Sequence, residues 1–129
     1  MPFKAIFGLY QGVLMLTLYG ISNCDTIRKT RRFLDDRAIP YQFIDVRKTP
    51  LSLEKLTRIS AQVGLDVLVN RRGQTYRKLK IKERNPNETE LLRLLHREQA
   101  MIRRPLLEYD NRYHVGYDEE ALSHFLQNR

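Results

Sequence analysis

Residues 16 to 46 constrain the fold most, because hydrophobic periodicity changes twice within them. Leu16-Thr17-Leu18-Tyr19 is a short apolar run of strand type, and Gly20-Ile21-Ser22-Asn23 reads as a turn. From Asp25 to Arg37 the spacing is helical, with Ile27, Phe33, Leu34 and Ala38 forming a partial inward stripe and Arg28, Lys29, Arg31 and Arg32 on the rest. Ile39-Pro40 stops the helix, and Tyr41 to Val46 alternates aromatic and β-branched residues as a second strand does. A β-α-β unit commits the chain to an α/β architecture.

The remainder extends that unit. After a loop from Arg47 to Pro50, Ser52 N-caps a helix carrying Leu53, Leu56, Ile59 and Val63, and Gly64 is its stop. Asp66 is read as the cap of a short helical stretch, Val67 to Asn70. Arg71-Arg72-Gly73 and the basic run Arg77 to Lys82 read as loop and short helix. Asn87 with Glu90 makes a capping box for a helix using Leu91, Leu94 and Leu95 and reaching about Arg97. Leu106 to Tyr109 and Arg112 to Val115 flank Asp110-Asn111, residues that tolerate positive φ, so a β-hairpin is expected. Asp118 caps a last helix bearing Leu122, Phe125 and Leu126. The predicted fold is thioredoxin-like, β-α-β followed by β-β-α, with a helical subdomain inserted at about residues 51–100 of a single domain covering 15–129.

Residues 1–14 read as an N-terminal extension, disordered or contributed by the choice of start site. A secretory signal is rejected, since Gly8, Gln11 and Gly12 break the apolar run and no small-residue cleavage site follows. No stretch reaches the roughly 18 consecutive apolar residues of a membrane span. A length of 129 residues supports one core, and a net charge of +8 calls for an anionic partner: a phosphate-like oxyanion, a glutathione-type peptide, nucleic acid or an acidic protein face.

The single cysteine, Cys24, precludes an internal disulfide and fits a cytoplasmic, reducing setting. It stands directly before the first helix, where the helix dipole and neighbouring cations stabilise a thiolate. Arg28 lies one turn on, and the amides around Asp25, Thr26 and Ile27 make a nest for an anion. Arg72 and Arg104 are further candidate cations, because a guanidinium binds oxyanions through paired donors. Competing readings are an inert, packed Cys24, ordinary solvated charges at Arg72 and Arg104 in a chain with 23 basic residues, and a Pro105 that only starts an edge strand. His96, His114 and His124 lack metal-ligand spacing, so surface or strand-packing roles are expected of them, with no metal site and no tightly bound cofactor.

Three separated motifs carry a resemblance. Leu18-Tyr19-Gly20-Ile21-Ser22-Asn23-Cys24-Asp25-Thr26-Ile27-Arg28-Lys29, then Leu68-Val69-Asn70-Arg71-Arg72-Gly73, then Ile102-Arg103-Arg104-Pro105-Leu106-Leu107 with Val115-Gly116-Tyr117 resemble the arsenate reductase-related ArsC/Spx family, most closely its small YffB-type members. The resemblance spans residues 15 to 127. It implies a thioredoxin-like fold, Cys24 as nucleophile with Asn23, Asp25 and Thr26 around it, Arg72 and Arg104 as oxyanion ligands, and a cis bond before Pro105. Arsenate-reducing members carry a histidine at the place of Gly20 and a third arginine at about Gly116, so arsenate is argued against as substrate. The expectation is a glutathione-dependent thiol oxidoreductase whose mixed disulfide at Cys24 is resolved by an external thiol, glutathione or a glutaredoxin-type donor. The alternative is a regulator resembling Spx, which binds RNA polymerase and is switched by a C-x-x-C disulfide. Ile27 occupies the second position of that motif here, so no internal switch forms, while the basic run from Arg71 to Lys82 suits an acidic protein partner. Direct nucleic-acid binding is argued against, because the basic residues are spread over several elements without a reader motif.

Overall fold

The computed structural model describes residues 14–128. Apart from Leu14, the expected extension over residues 1–14 lies outside them. Strand β1 (Leu16–Gly20) is buried along its whole length, which matches its mainly apolar sequence. Helix α1 (Asp25–Asp36) returns the chain to β2 (Tyr41–Asp45), which pairs parallel with β1 from Leu16↔Tyr41 to Gly20↔Asp45. On the other side of β1, β3 (Leu106–Tyr109) pairs antiparallel, with Leu18 opposite Leu107. Strand β4 (Arg112–Val115) completes the order β2-β1-β3-β4. The hairpin turn holds Asp110 and Asn111 at φ 51° and 59°, the left-handed conformation these side chains tolerate.

Alternation along β1 divides the core between the two faces of the sheet. Leu16 and Leu18 join Ile27, Phe33, Leu34, Leu107, Leu122, Phe125 and Leu126, packing α1 and α7 (Glu119–Gln127) on one face. Tyr19 faces the other cluster, built on Leu56, Ile59, Leu68, Ile81, Leu94, Leu95 and Ile102. That cluster gathers the helices between β2 and β3: α2 (Leu53–Val63), α3 (Leu65–Leu68), α4 (Gln74–Lys78), α5 (Ile81–Arg84) and α6 (Glu88–Arg97). Buried leucines of this kind contribute about 1.5–3 kcal/mol each. Buried Gln99 joins the start and end of this helical stretch, donating Nε2 to the Leu51 carbonyl at 2.6 Å and accepting from the Leu51 amide at 2.8 Å.

Caps fall where side-chain chemistry placed them. Ser52 accepts from Lys55 N, Asn87 and Glu90 form the reciprocal box, and Asp118 accepts from the amides of Glu120 and Ala121. The expected helix at Val67 to Asn70 instead runs from Leu65 to Leu68. Asp66 does not cap it, because its carboxylate lies inside the first turn and accepts from Arg71. The basic run contains the end of α4, a left-handed Lys80 and the start of α5, with Ile81 buried beneath. Ala38 is not part of the α1 stripe: α1 ends at Asp36, and Ala38 turns left-handed at φ 54° and is exposed. Thr30 is buried on that helix instead, its hydroxyl satisfied by the Thr26 carbonyl at 2.8 Å.

Candidate active site

Cys24 sits at the N-cap of α1 in an extended conformation, and its carbonyl accepts from Arg28 N at 2.9 Å. The preceding Asn23 adopts φ 65°, bending the chain out of β1 into the helix. Asp45, at the end of β2, holds this loop by accepting from the Ser22 amide at 3.2 Å and hydroxyl at 2.9 Å while also accepting from Arg47 N. Those hydrogen bonds outweigh desolvation and keep the Asp45 carboxyl below the usual carboxylate range. The parallel pairing of β1 with β2 thus brings the carboxylate to the loop that carries the thiol.

Cys24 is half-buried. Burial by itself pushes the thiol up, but the amides of Ile27 and Thr26 and the guanidinium of Arg104 together hold it below its ordinary value. The helix amides and a cation therefore act on one sulfur, which is the environment that activates a cysteine. Arg104 is anchored for this task by donating Nη1 to the carbonyls of Ala100 at 2.7 Å and Ile102 at 3.2 Å. Its Nε is buried without an acceptor among the described residues. The Arg104–Pro105 peptide bond is cis, and the Pro105 carbonyl accepts from Gly116 N at 2.9 Å, joining this segment to the end of β4.

The other cations are placed differently. Arg28 sets its guanidinium on the Asp25 carboxylate in an exposed pair within the first turn of α1. Arg72 is exposed, and its backbone is held by Asn70 Oδ1 and by Arg77 Nη1. Its side chain lines a pocket of about 300 Å³ with Asp66, Val69, Asn70, Arg71 and Arg103. Arg103 escaped the sequence reading because nothing separates it from Arg104 there. In three dimensions its guanidinium covers Gly116, where a built Cβ would lie 3.5 Å from Arg103 Nη2. His114 is half-buried, with Nε2 3.0 Å from the Gly116 carbonyl and its ring against Phe125.

The match to known proteins covers this whole arrangement. The model of the ArsC family matches residues 19–125. The chain belongs to the ArsC family. Among its relatives, an uncharacterised protein of Haemophilus influenzae (strain Rd) is 37% identical over 107 residues, covering 82% of this chain and 94% of that protein. The global transcriptional regulator Spx of Listeria innocua is 31% identical over 117 residues, covering 89% of each. The solved structure of the YffB protein superposes with a TM-score of 0.79 at 34% identity, over 85% of this chain and 97% of that one. The family resemblance read from the three motifs and the thioredoxin-like fold are thereby both established. Among the described residues of this ArsC-family chain, no helix is long and apolar enough to cross a membrane.

Proposed function

We propose that this ArsC-family protein is a glutathione-dependent thiol oxidoreductase of the cytoplasm, with Cys24 as its nucleophile. The observation that carries the reading is the place of Cys24, half-buried at the N-cap of α1, where the amides of Ile27 and Thr26 and the guanidinium of Arg104 hold its thiol below the ordinary value. In the reaction, the Cys24 thiolate attacks one sulfur of a disulfide. A bond from Sγ to that sulfur forms, the original S–S bond breaks, and the second half leaves as a thiolate. With one cysteine in the chain, the mixed disulfide is resolved from outside: a glutathione thiolate, or that of a glutaredoxin-type donor, attacks it and Cys24 leaves as the thiolate again. Arg104 stabilises the sulfur on both passages, and Arg72 anchors the anionic part of the partner with Arg28 assisting. Neither step needs a metal or a resident cofactor.

Incubation with oxidised glutathione followed by intact-mass measurement tests this. One glutathione adduct, absent from the Cys24→Ser variant and removed by reduced glutathione, is the expected result. No adduct on the native chain would overturn the proposal. The similarity to Listeria Spx supports a second reading, a polymerase-docking protein without catalysis. Ile27 is buried beside Cys24 in place of a second cysteine, so docking would be independent of an internal disulfide. Recovery of polymerase subunits in equal amounts from oxidised and reduced samples, with Cys24 unmodified, would favour it.

A further inference from the structure

The pocket beside Arg103 carries more charge than its own side chains balance. The isolated bridge between Val69 and Ile102, with Asn70 N bonded to the Met101 carbonyl and Arg103 N to the Leu68 carbonyl, zips the segment after α3 against the segment before β3. This pairing brings Arg72 and Arg103 to one pocket although they are far apart in the chain. Of the charges that line it, Arg71 is matched by Asp66. The guanidiniums of Arg72 and Arg103 make no ion pair or side-chain hydrogen bond among the described residues, so two exposed cations face a cavity with no anion left for them.

Arg103 also reaches the end of β4. Gly116 stands there at φ 97°, a backbone conformation that side chains disfavour, and a Cβ on it would lie 3.5 Å from Arg103 Nη2, in ordinary contact. Arg103 is also the immediate neighbour of Arg104, which acts on the Cys24 sulfur. The Pro105 carbonyl, next to Arg104, accepts from Gly116 N at 2.9 Å, so Arg103, Gly116 and the segment of Arg104 meet at the end of β4.

Resting on the thiol reading above, we propose that Arg103 and Arg72 together form the subsite for a carboxylate of the peptide disulfide that reacts at Cys24, and so select charged peptide disulfides over neutral ones. In a tripeptide whose middle residue carries the sulfur, about 7 Å of extended chain leads from that residue to the terminal carboxylate, so the carboxylate needs a cation other than the one that holds the sulfur. Two guanidiniums hold a carboxylate through charge-assisted, paired hydrogen bonds, and removing either guanidinium weakens binding about tenfold or more.

The test compares two disulfides on the full chain: oxidised glutathione, which is anionic, and hydroxyethyl disulfide, which is neutral. Each is the oxidant in the balanced exchange written above, and the rate of Cys24 modification is read by mass. The ratio of the two rates is expected to fall about tenfold in Arg103→Ala and further in the Arg72→Ala, Arg103→Ala double variant, with partial recovery in Arg103→Lys. In the native protein the same ratio should fall as salt rises from 0.02 to about 0.5 M, a measurement that requires no variant to fold. A ratio indifferent to Arg103, with native Cys24 still reactive, overturns the subsite whatever the salt dependence, since a net charge of +8 attracts an anionic disulfide without it, and leaves the thiol reading standing. A native Cys24 inert to both disulfides overturns the two together.

Discussion

A Cβ on Gly20 would stand 2.2 Å from Cδ1 and 2.6 Å from Cγ1 of Ile27, the residue three places after the cysteine. The two positions are therefore coupled: with a buried isoleucine under the loop, the last residue of β1 has no room for a side chain. Gly20→Ala is expected to lower stability by about 1–3 kcal/mol through overpacking. Combined with Ile27→Ala, it should cost less than the sum of the two single changes, as two residues competing for one space must. Denaturant unfolding of the four proteins of the cycle checks this, and strict additivity would refute the coupling.

Removal of the Arg104 cation should be visible directly at the sulfur. Alkylation rate against pH is expected to have a midpoint below the free-thiol value of about 8.5 in the native protein and a higher one in Arg104→Met. The sign carries over to stability. A thiol whose folded value is depressed contributes stability fully present above its unfolded value and lost as pH falls through the folded one. The stability gap between the native chain and Cys24→Ser should accordingly widen as pH rises toward the unfolded value. A gap flat with pH would show the thiol to be unperturbed.

On the α2 side of the sheet, Glu108 collects three partners: the Tyr19 hydroxyl donates to it at 2.6 Å, the Tyr113 hydroxyl at 3.2 Å, and Lys55 Nζ lies at 2.8 Å. Burial raises both tyrosines and the adjacent carboxylate adds to it, taking Tyr113 to about 12 and Tyr19 higher still. Desolvation pushes Glu108 up, but Lys55 and the two hydroxyls hold it below the usual range. Stability should decline above pH ~10, because the unfolded tyrosines ionise there while the folded ones stay protonated. It should also decline as pH falls below ~4, where the Glu108 contribution is lost. Glu108→Gln is expected to flatten both limbs in a series of unfolding curves, and an unchanged pH profile would show that the cluster does not govern them.

Gln99→Leu isolates the clip between the two ends of the helical stretch. Its amide satisfies both the N–H and the C=O of Leu51, all in the interior. An apolar side chain of similar volume leaves both backbone groups unpaired, at about 1–3 kcal/mol each. The expected loss of stability is larger than for an exposed substitution such as Gln74→Leu, and equal losses would refute the clip.

The amino-acid sequence by itself determined the order of elements, because periodicity, caps and turn residues act over a few neighbouring positions. Ser52, Asn87 with Glu90, and Asp118 declare helix starts through hydrogen bonds within one turn, and Asp110-Asn111 declares the hairpin. Cys24 before a helix was legible for the same reason. Where sequence reading slipped, at Ala38 and Asp66, a local preference lost to its surroundings: a helix ending early, a carboxylate taken by Arg71. The tertiary structure alone decided which guanidinium meets the sulfur. Three arginines were equivalent candidates in the chain; pairing of β1 with β3 and the carbonyls of Ala100 and Ile102 bring Arg104 there, Asp25 takes Arg28, and the Val69–Ile102 bridge sets Arg72 beside an unforeseen Arg103. Charge has no periodicity to read, so its destination is fixed only when distant segments pack.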